Sequence, residues 1–382
     1  LRLATLNVWG LPWPFAQDGP ARMRAIGARL PALELDVVAF QEVWTGGARR
    51  SLLEAGRRAG LVHAWHNAAT LRGGGLLVLS RTPFRDARFE AFAVRGFPHR
   101  LWHGDYHGGK GYCTLQIASG DAGFTLIDTH LHAQYAEDGS DDEHPHRLAQ
   151  VVQLATAVAG IPGPVLAAGD FNMREGRPEY AVFTRLSGMH DVAAQLSRRV
   201  PTTLVNNPYR IRRVPAGEQR IDYVFTRDGD GHRVRARSVE RIFDAPPADG
   251  PPGYSDHAGL LVELELEPDP AARAAWPDAE ARQLAARLLA EGRARAQERR
   301  EGLRVAAVTA LAGAGLAWAS TRRTAVSRRR LLRAGLGAGV LVALPFGLSN
   351  AALAEIAVPD EVRGYDLVAA RLAALDRRGA GR

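Results

Sequence analysis

Four histidines crowd one stretch, THLHAQYAEDGSDDEHPHRLAQ: His130 and His132 two apart, then His144 and His146 beside a run of acids. Residues two apart on a strand share a face, so His130 and His132 point the same way if THLH is extended. Elsewhere, oxygen and imidazole ligands close β-like runs: Asn7 in TLNVWG, Glu42 in FQEVW, Asp170 and Asn172 in GDFN, Asp222 in RIDYVF, Asp256 and His257 in YSDHAG. Strand ends are where side chains from distant parts of a chain converge. Hard oxygen ligands without cysteine–histidine spacing suit Mg²⁺, or Mn²⁺ in its place, better than zinc. Lys110 stands in HGGKGY as the single lysine against 48 arginines, which suggests that a compact point charge is needed there. Plainer roles compete at each position: a strand-end acid can cap a helix, Asn7 can hold a turn, and Asp222 can pair with Arg220.

The elements that must position these residues alternate along the first 267. LRLATLNVW, LDVVAFQEV, GLLVLSR, YCTLQIA, FTLIDTHLH, PVLAAGDFN, RIDYVFTR and GLLVELELE read as strands. PARMRAIGARLPAL, ARRSLLEAGRRAG and HRLAQVVQLATAVAG carry apolar residues at helical spacing. This is one α/β domain, with too many strands per helix for a doubly wound sheet. The lone cysteine, Cys113, excludes an internal disulfide framework. Leu1 opens inside a strand-like run, so a short leader is expected ahead of it.

Charge divides the chain. Residues 1–268 hold 30 basic and 30 acidic side chains, whereas 269–382 hold 19 and 11, which is the entire net +8. A nucleic-acid binder places its basic patch where phosphates dock. Here the excess flanks apolar runs, which points to a membrane surface. Residues 268–302 read as a linker and charged helix. Within 303–356 lie two apolar runs, 303–321 and 331–356. The first would span roughly 28 Å as a helix, close to the ~30 Å hydrocarbon layer. They predict a helical hairpin in a bilayer, with Arg304 and Arg333 reaching toward its surfaces, followed by a tail over 357–382. Arginines before the first run (Arg293, Arg295, Arg299, Arg300) nearly match those between the runs (Arg322, Arg323, Arg328, Arg329, Arg330), so the side of the membrane is undetermined.

In this order, LWHGDYHGGKGY, THLHAQY, HRLAQ, GDFNM, RIDYVF and YSDHAG resemble segments of the Mg²⁺-dependent endonuclease/exonuclease/phosphatase superfamily. The branch they match best is the animal-type neutral sphingomyelinases, which also end in two membrane helices. The resemblance covers residues 1 to about 267. It implies a four-layer sandwich of two packed mixed β-sheets flanked by helices. It makes Glu42 the principal metal ligand with Asn7 beside it and Asp256 on the metal side. His257 becomes the general base, oriented by Asp222, with Asp170 and Asn172 placing water and phosphate. His130 would bond the scissile phosphate or act as acid toward the leaving oxygen. Lys110 would lie near the phosphate, with Asp105 orienting His130 or supporting the loop. His146 would touch the headgroup side or merely begin a helix, and His132 is either core or a supporting contact. His144 is assigned to the loop. The acids Glu137, Asp138, Asp141, Asp142 and Glu143 favour the helix N-terminus or attract a choline-type cation. The second metal-side glutamate of the nuclease branches has no clear counterpart, Glu90 being a guess. Phe97, Trp102 and Tyr106 either dip into the interface or pack internally.

The expected activity is that of a membrane-anchored phosphodiesterase of phospholipase C type. It would cleave sphingomyelin, or lysophosphatidylcholine-like lipids, to ceramide or glyceride and phosphocholine. A DNase-like endonuclease is the alternative, and the neutral charge of residues 1–268 argues against a nucleic-acid partner. No protein partner is expected.

Overall fold

Val, Leu, Ile and Phe fill the strand runs on both faces, and this demands cover on both sides of each sheet. The computed structural model describes residues 1–67, 73–100, 104–119, 122–135, 140–209, 217–323 and 330–379. Trp102, Glu137, Asp138 and the arginine side chains between 322 and 333 lie outside the described residues.

Among the described residues, twelve strands form two six-stranded sheets. One contains β1 (Arg2–Asn7), β2 (Val37–Gln41), β3 (His63–His66), β4 (Leu77–Ser80), β11 (His232–Ile242) and β12 (Gly259–Pro268), in the order β11-β12-β1-β2-β4-β3. The other contains β5 (Phe84–Ala91), β6 (Gly111–Ser119), β7 (Ala122–His130), β8 (Val165–Asp170), β9 (His190–Asp191) and β10 (Asp222–Arg227), in the order β5-β6-β7-β8-β10-β9. Each sheet has one parallel pair, β1 with β2 and β7 with β8, among antiparallel neighbours. Leu3, Val37 and Val262 of the first sheet meet Leu115, Leu126 and Leu166 of the second in a shared core. Helices α1 (Gly19–Arg29) and α2 (Gly46–Arg58) cover the outer face of the first sheet through Ile26 and Leu52. A short α3 (Asp105–Gly108) precedes β6, and α6 (Val192–Gln195) follows β9. Helices α4 (His144–Ala159) and α5 (Pro178–Ser187) cover the second sheet. The result is the expected four-layer sandwich of two mixed sheets flanked by helices.

The C-terminal region departs from the expected partition. No break occurs at 302/303: α7 (Ala279–Arg323) is one unbroken helix, about 67 Å long at 1.5 Å per residue. It is followed by α8 (Arg330–Ala352), a π-turn over Leu353–Ala357, and α9 (Val358–Gly379). The charged helix expected before 302 is therefore the first part of α7, preceded by a non-helical stretch over 268–278, and the expected tail is the helix α9. Ala285, Leu289 and Ala296 of α7, with Val358, Tyr365, Val368 and Leu372 of α9, join the core over α4. Helical spacing of those apolar residues is what packs them there. Beyond the domain, the α7–α8 hairpin leaves Val305, Val308, Leu316, Leu341, Val342 and Phe346 exposed. Both stretches are long and apolar enough to cross a membrane, with mean hydropathy 1.4 and 1.7.

Candidate active site

Parallel strands bring their C-terminal ends to one edge, and antiparallel neighbours add their N-terminal ends there. Asn7 and Glu42 thus sit side by side after β1 and β2, and His130 pairs in register with Asp170 across β7–β8. Asp222 opens β10 opposite Asp170, and Asp256 and His257 lead into β12. Two backbone details allow this crowding. Gly169 has φ +137°, and a Cβ there would stand 2.1 Å from the Thr129 carbonyl oxygen. Glu42 and Asn172 hold the left-handed region, φ +61° and +46°, which non-glycine residues seldom adopt.

The convergence is tight. The Asn7 amide donates 2.9 Å bonds to Glu42 Oε1 and to Asp170 Oδ2, while its Oδ1 accepts from the Trp9 N–H. His257 Nδ1 lies 2.9 Å from Asp222 Oδ2, and its Nε2 faces Asp170 Oδ2 at 3.9 Å. Asn172 donates to the Leu131 carbonyl, and its own N–H bonds Asp170 Oδ1. His130 Nε2 stands 3.4 Å from Asp170 Oδ2 and 3.9 Å from Glu42 Oε1. Ser255, which sequence reasoning passed over within YSDHAG, donates a 2.6 Å bond to the Asn7 carbonyl and fixes the two strand ends together.

Carboxylates outnumber cations here. Burial, then the Asp256 charge, raises the Glu42 carboxyl above its usual range. Burial, then Asp222, pushes Asp170 up to about 7, and burial raises Asp256. On His257 burial disfavours charge, but Asp222, Asp256 and Asp170 outweigh it and lift the imidazole well above its ordinary value. Acids that oppose one another's ionisation in a closed space are a donor set suited to a divalent cation. Glu42 and Asp256 would supply hard oxygens, and Asn7 could offer its amide oxygen by a half-turn of the amide.

Lys110 corrects an expectation. Its three N–H donors are all taken: Asp105 Oδ1 at 2.6 Å, His130 Nε2 at 2.8 Å and the Leu131 carbonyl at 2.8 Å. No donor is left for phosphate, so the residue holds the site together rather than the substrate. Burial, then Lys110, keeps His130 neutral, with its pKa well below the ordinary value. Because Nε2 accepts from the ammonium, it holds no proton for a leaving oxygen, against the acid role considered above. Asp105 is kept ionised despite burial by Lys110 and His132. It supports the loop, with its second oxygen accepting from the Ala133 N–H.

The remaining histidines lie behind this centre. Burial drives His132 down to about 3. Its Nδ1 faces Asp105 and the Ala133 carbonyl, while its Nε2 presses on Gly96, where a Cβ would come within 2.2 Å. His132 therefore supports Asp105 and does not reach substrate. His146 is buried and bonds Glu361 of α9 at 2.9 Å, so its expected headgroup contact is not made. His144 is in the first turn of α4, not the loop, and bonds Glu179. Asp141 and Glu179 share Arg147, while Asp142 and Glu143 pair with Arg100. These ion pairs, not a choline cation, account for the described loop acids. Glu90 bonds Arg371 and Gln153 rather than standing among the metal-side carboxylates. Phe97 is buried against His146, and Tyr106 lies under Arg95.

A model of the endonuclease/exonuclease/phosphatase family matches residues 4–257. The chain belongs to this family. Within the family, a candidate neutral sphingomyelinase of Drosophila melanogaster is 34% identical over 277 residues, covering 70% of this chain and 61% of that protein. Sphingomyelin phosphodiesterase 2 of Homo sapiens is 27% identical over 282 residues, covering 71% and 66%. The chain thus spans less than two thirds of the length of these family relatives. The magnesium-bound crystal structure of a variant of β toxin from Staphylococcus aureus shares the fold. Its TM-score is 0.53 at 19% identity, over 69% of this chain and 98% of that one.

Proposed function

We propose that this chain is a membrane-anchored, Mg²⁺-dependent phosphodiesterase. It hydrolyses sphingomyelin, or lysophosphatidylcholine-like lipids, to ceramide or glyceride and phosphocholine, with Mn²⁺ able to replace Mg²⁺. The observation that carries the reading is the Asp222–His257 pair facing Asp170 beside the Asn7–Glu42 carboxylate–amide pair. The names of the two relatives give the lipid class. Asp222 fixes the proton on His257 Nδ1, so Nε2 presents a lone pair once the imidazole is neutral. Water held between Nε2 and Asp170 would attack phosphorus and pass its proton to Nε2 as the bond to the lipid oxygen breaks; the lipid oxygen would take a proton from solvent and leave as the alcohol, with the phosphate on the headgroup. Glu42, Asp256 and Asn7 would hold a divalent ion, which would supply charge neutralisation to the phosphate and the leaving oxygen.

Two features favour a bilayer substrate. The α7–α8 hairpin is an anchor of membrane-spanning length. The loop after Asn7 exposes Trp13 by 85% and Phe15 by 63%, and Trp13 lines a cavity of about 650 Å³ that also touches Gly10 and Met23. Indole and phenyl groups presented this way partition to the lipid–water boundary. Replacing both with serine should weaken vesicle binding of the full chain without changing hydrolysis of a water-soluble choline phosphodiester.

The deciding assay gives purified protein MgCl₂ with sphingomyelin, lysophosphatidylcholine and plasmid DNA in parallel. Phosphocholine release without nicking is expected. Nicking without phosphocholine release would establish the endonuclease alternative instead.

A further inference from the structure

The helix that follows the hairpin returns to the catalytic domain and reaches a residue connected to the site. Glu361 of α9 accepts from His146 Nε2 at 2.9 Å and also pairs with Arg299 of α7. His146 stacks on His132, with centroids 5.9 Å apart and ring planes at 26°, and Phe97 packs edge-on against it at 4.4 Å. Arg299 also lies over Phe97, 4.9 Å from its centroid. His132 Nδ1 meets Asp105 Oδ2 at 3.1 Å, Asp105 pairs with Lys110, and Lys110 holds His130. Every link in this path is buried, from Glu361 to His130.

Two glycines set how closely the layers approach. A Cβ at Gly364 of α9 would stand 2.6 Å from the Ala93 carbonyl oxygen, so this helix rests backbone to backbone on the 93–97 segment. Gly96 in that segment in turn presses on His132. The other end of the assembly is clamped too: Arg300 and Arg304 of α7 bond Glu355 at the π-turn, and Arg300 bonds the Ala354 carbonyl. Because α7 is continuous, its docked half and its hairpin half move as one rod.

We propose that α9 is a positioning element of the active site. Glu361 orients His146, and through His132 and Asp105 the Lys110–His130 pair, so that seating of the hairpin helices sets turnover. The proposal rests on the reading of His130, Asp170 and His257 as a hydrolytic centre. Buried networks of this kind hold two discrete arrangements more readily than a continuum, so loss of one partner is felt at the far end.

The test uses the full chain in detergent micelles. Glu361→Leu removes the acceptor for His146, and Gly364→Leu wedges α9 off the 93–97 segment. Glu361→Gln keeps an acceptor, and Arg293→Ala breaks an exposed α7–α9 ion pair remote from the path. Hydrogen exchange should rise at residues 105–110 and 130–135 in the two leucine variants and stay at wild-type level in Arg293→Ala. This readout needs no substrate, so it stands even if the lipid assignment fails. On the accepted substrate, the leucine variants should lose roughly tenfold or more in kcat, the scale of a small misplacement of catalytic groups, at unchanged KM. Glu361→Gln should recover most of that loss. Faster exchange confined to α7 and α9, with kcat unaltered, would overturn the coupling. So would a loss confined to KM, which would make α9 only an anchor.

Discussion

Two clusters of acids and histidines lie buried in this molecule, and they differ in one respect. Around Arg147, the carboxylates of Asp141 and Glu179 are matched by a guanidinium inserted between them, with His144 alongside. Around Asp170, among the described residues, no arginine bonds the carboxylates of Glu42, Asp222 or Asp256: buried Arg22 spends its donors on the Val8, Trp9 and Tyr254 carbonyls and reaches Asp256 only through its charge, and Lys110 is spent on Asp105 and His130. The first cluster joins α4 to α5 and depresses the Glu179 carboxyl, whereas the second raises Asp170 and Glu42. Equal residue types therefore serve opposite ends. A carboxylate given its own cation is structural, and one left without a partner waits for a cation from outside.

The largest effect should come from the uncompensated cluster. His257→Ala and Asp222→Asn should each lower kcat by about 10²–10⁴, the usual worth of a positioned base and its orientation. Thermal stability in EDTA should stay near the wild-type value in Asp222→Asn, which removes one of the crowded carboxylates, and fall in His257→Ala, which takes a cation from between Asp222, Asp256 and Asp170. A variant that kept near-wild-type turnover would remove His257 from the chemistry.

The matched cluster should answer in the opposite currency. Arg147→Met leaves Asp141 and Glu179 buried without their cation and should cost about 3–5 kcal/mol of stability, as for broken buried ion pairs. Urea unfolding of the detergent-solubilised chain measures this, and a loss under about 1 kcal/mol would mean the cluster is held by packing alone.

Ligand response separates the two further. Mg²⁺ at a hundred times its dissociation constant should add about 2.7 kcal/mol to the wild type. Glu42→Gln and Asp256→Asn should abolish that gain, and Arg147→Met should retain it. Calorimetric titration reads the same comparison directly. An undiminished Mg²⁺ response in both site variants would place the ion elsewhere.

Much of this contrast was legible in the chain, and some of it could not be. Asn7, Glu42, Asp170, Asp222 and His257 each close or open a strand-like run, and strand ends gather at one edge of a mixed sheet. The sandwich itself follows from apolar residues on both faces of those runs. What escaped is whatever depends on long-range partners. Nothing near Lys110 announces that Asp105, His130 and Leu131 will consume its three donors. His146 meets Glu361 across 215 residues, a contact with no local signature. The 268–302 segment read as a linker and charged helix and 357–382 as a tail because charge dominates their composition. Their apolar stripe at helical spacing was the available sign that they dock.

The smallest expected effect is a pH dependence read from Glu179 in the matched cluster. Burial opposes ionisation of Glu179, but bonds from His144 and the charge of Arg147 prevail and lower its pKa from 4.5 to about 2. A carboxyl whose folded value is depressed binds fewer protons in the folded chain than in the unfolded one across that interval. Its contribution is therefore complete above about pH 4.5 and drains away as pH falls toward 2. Glu179→Gln cannot ionise, so the gap in Tm between it and the wild type should be full at neutral pH and close over the same window. Melting curves stepped through that range, in EDTA so that the uncompensated cluster carries no ion, measure the gap. If it stayed constant down to pH 2, Arg147 would be holding Glu179 by shape and hydrogen bonding rather than by charge, and the distinction between the two clusters would lose its electrostatic basis.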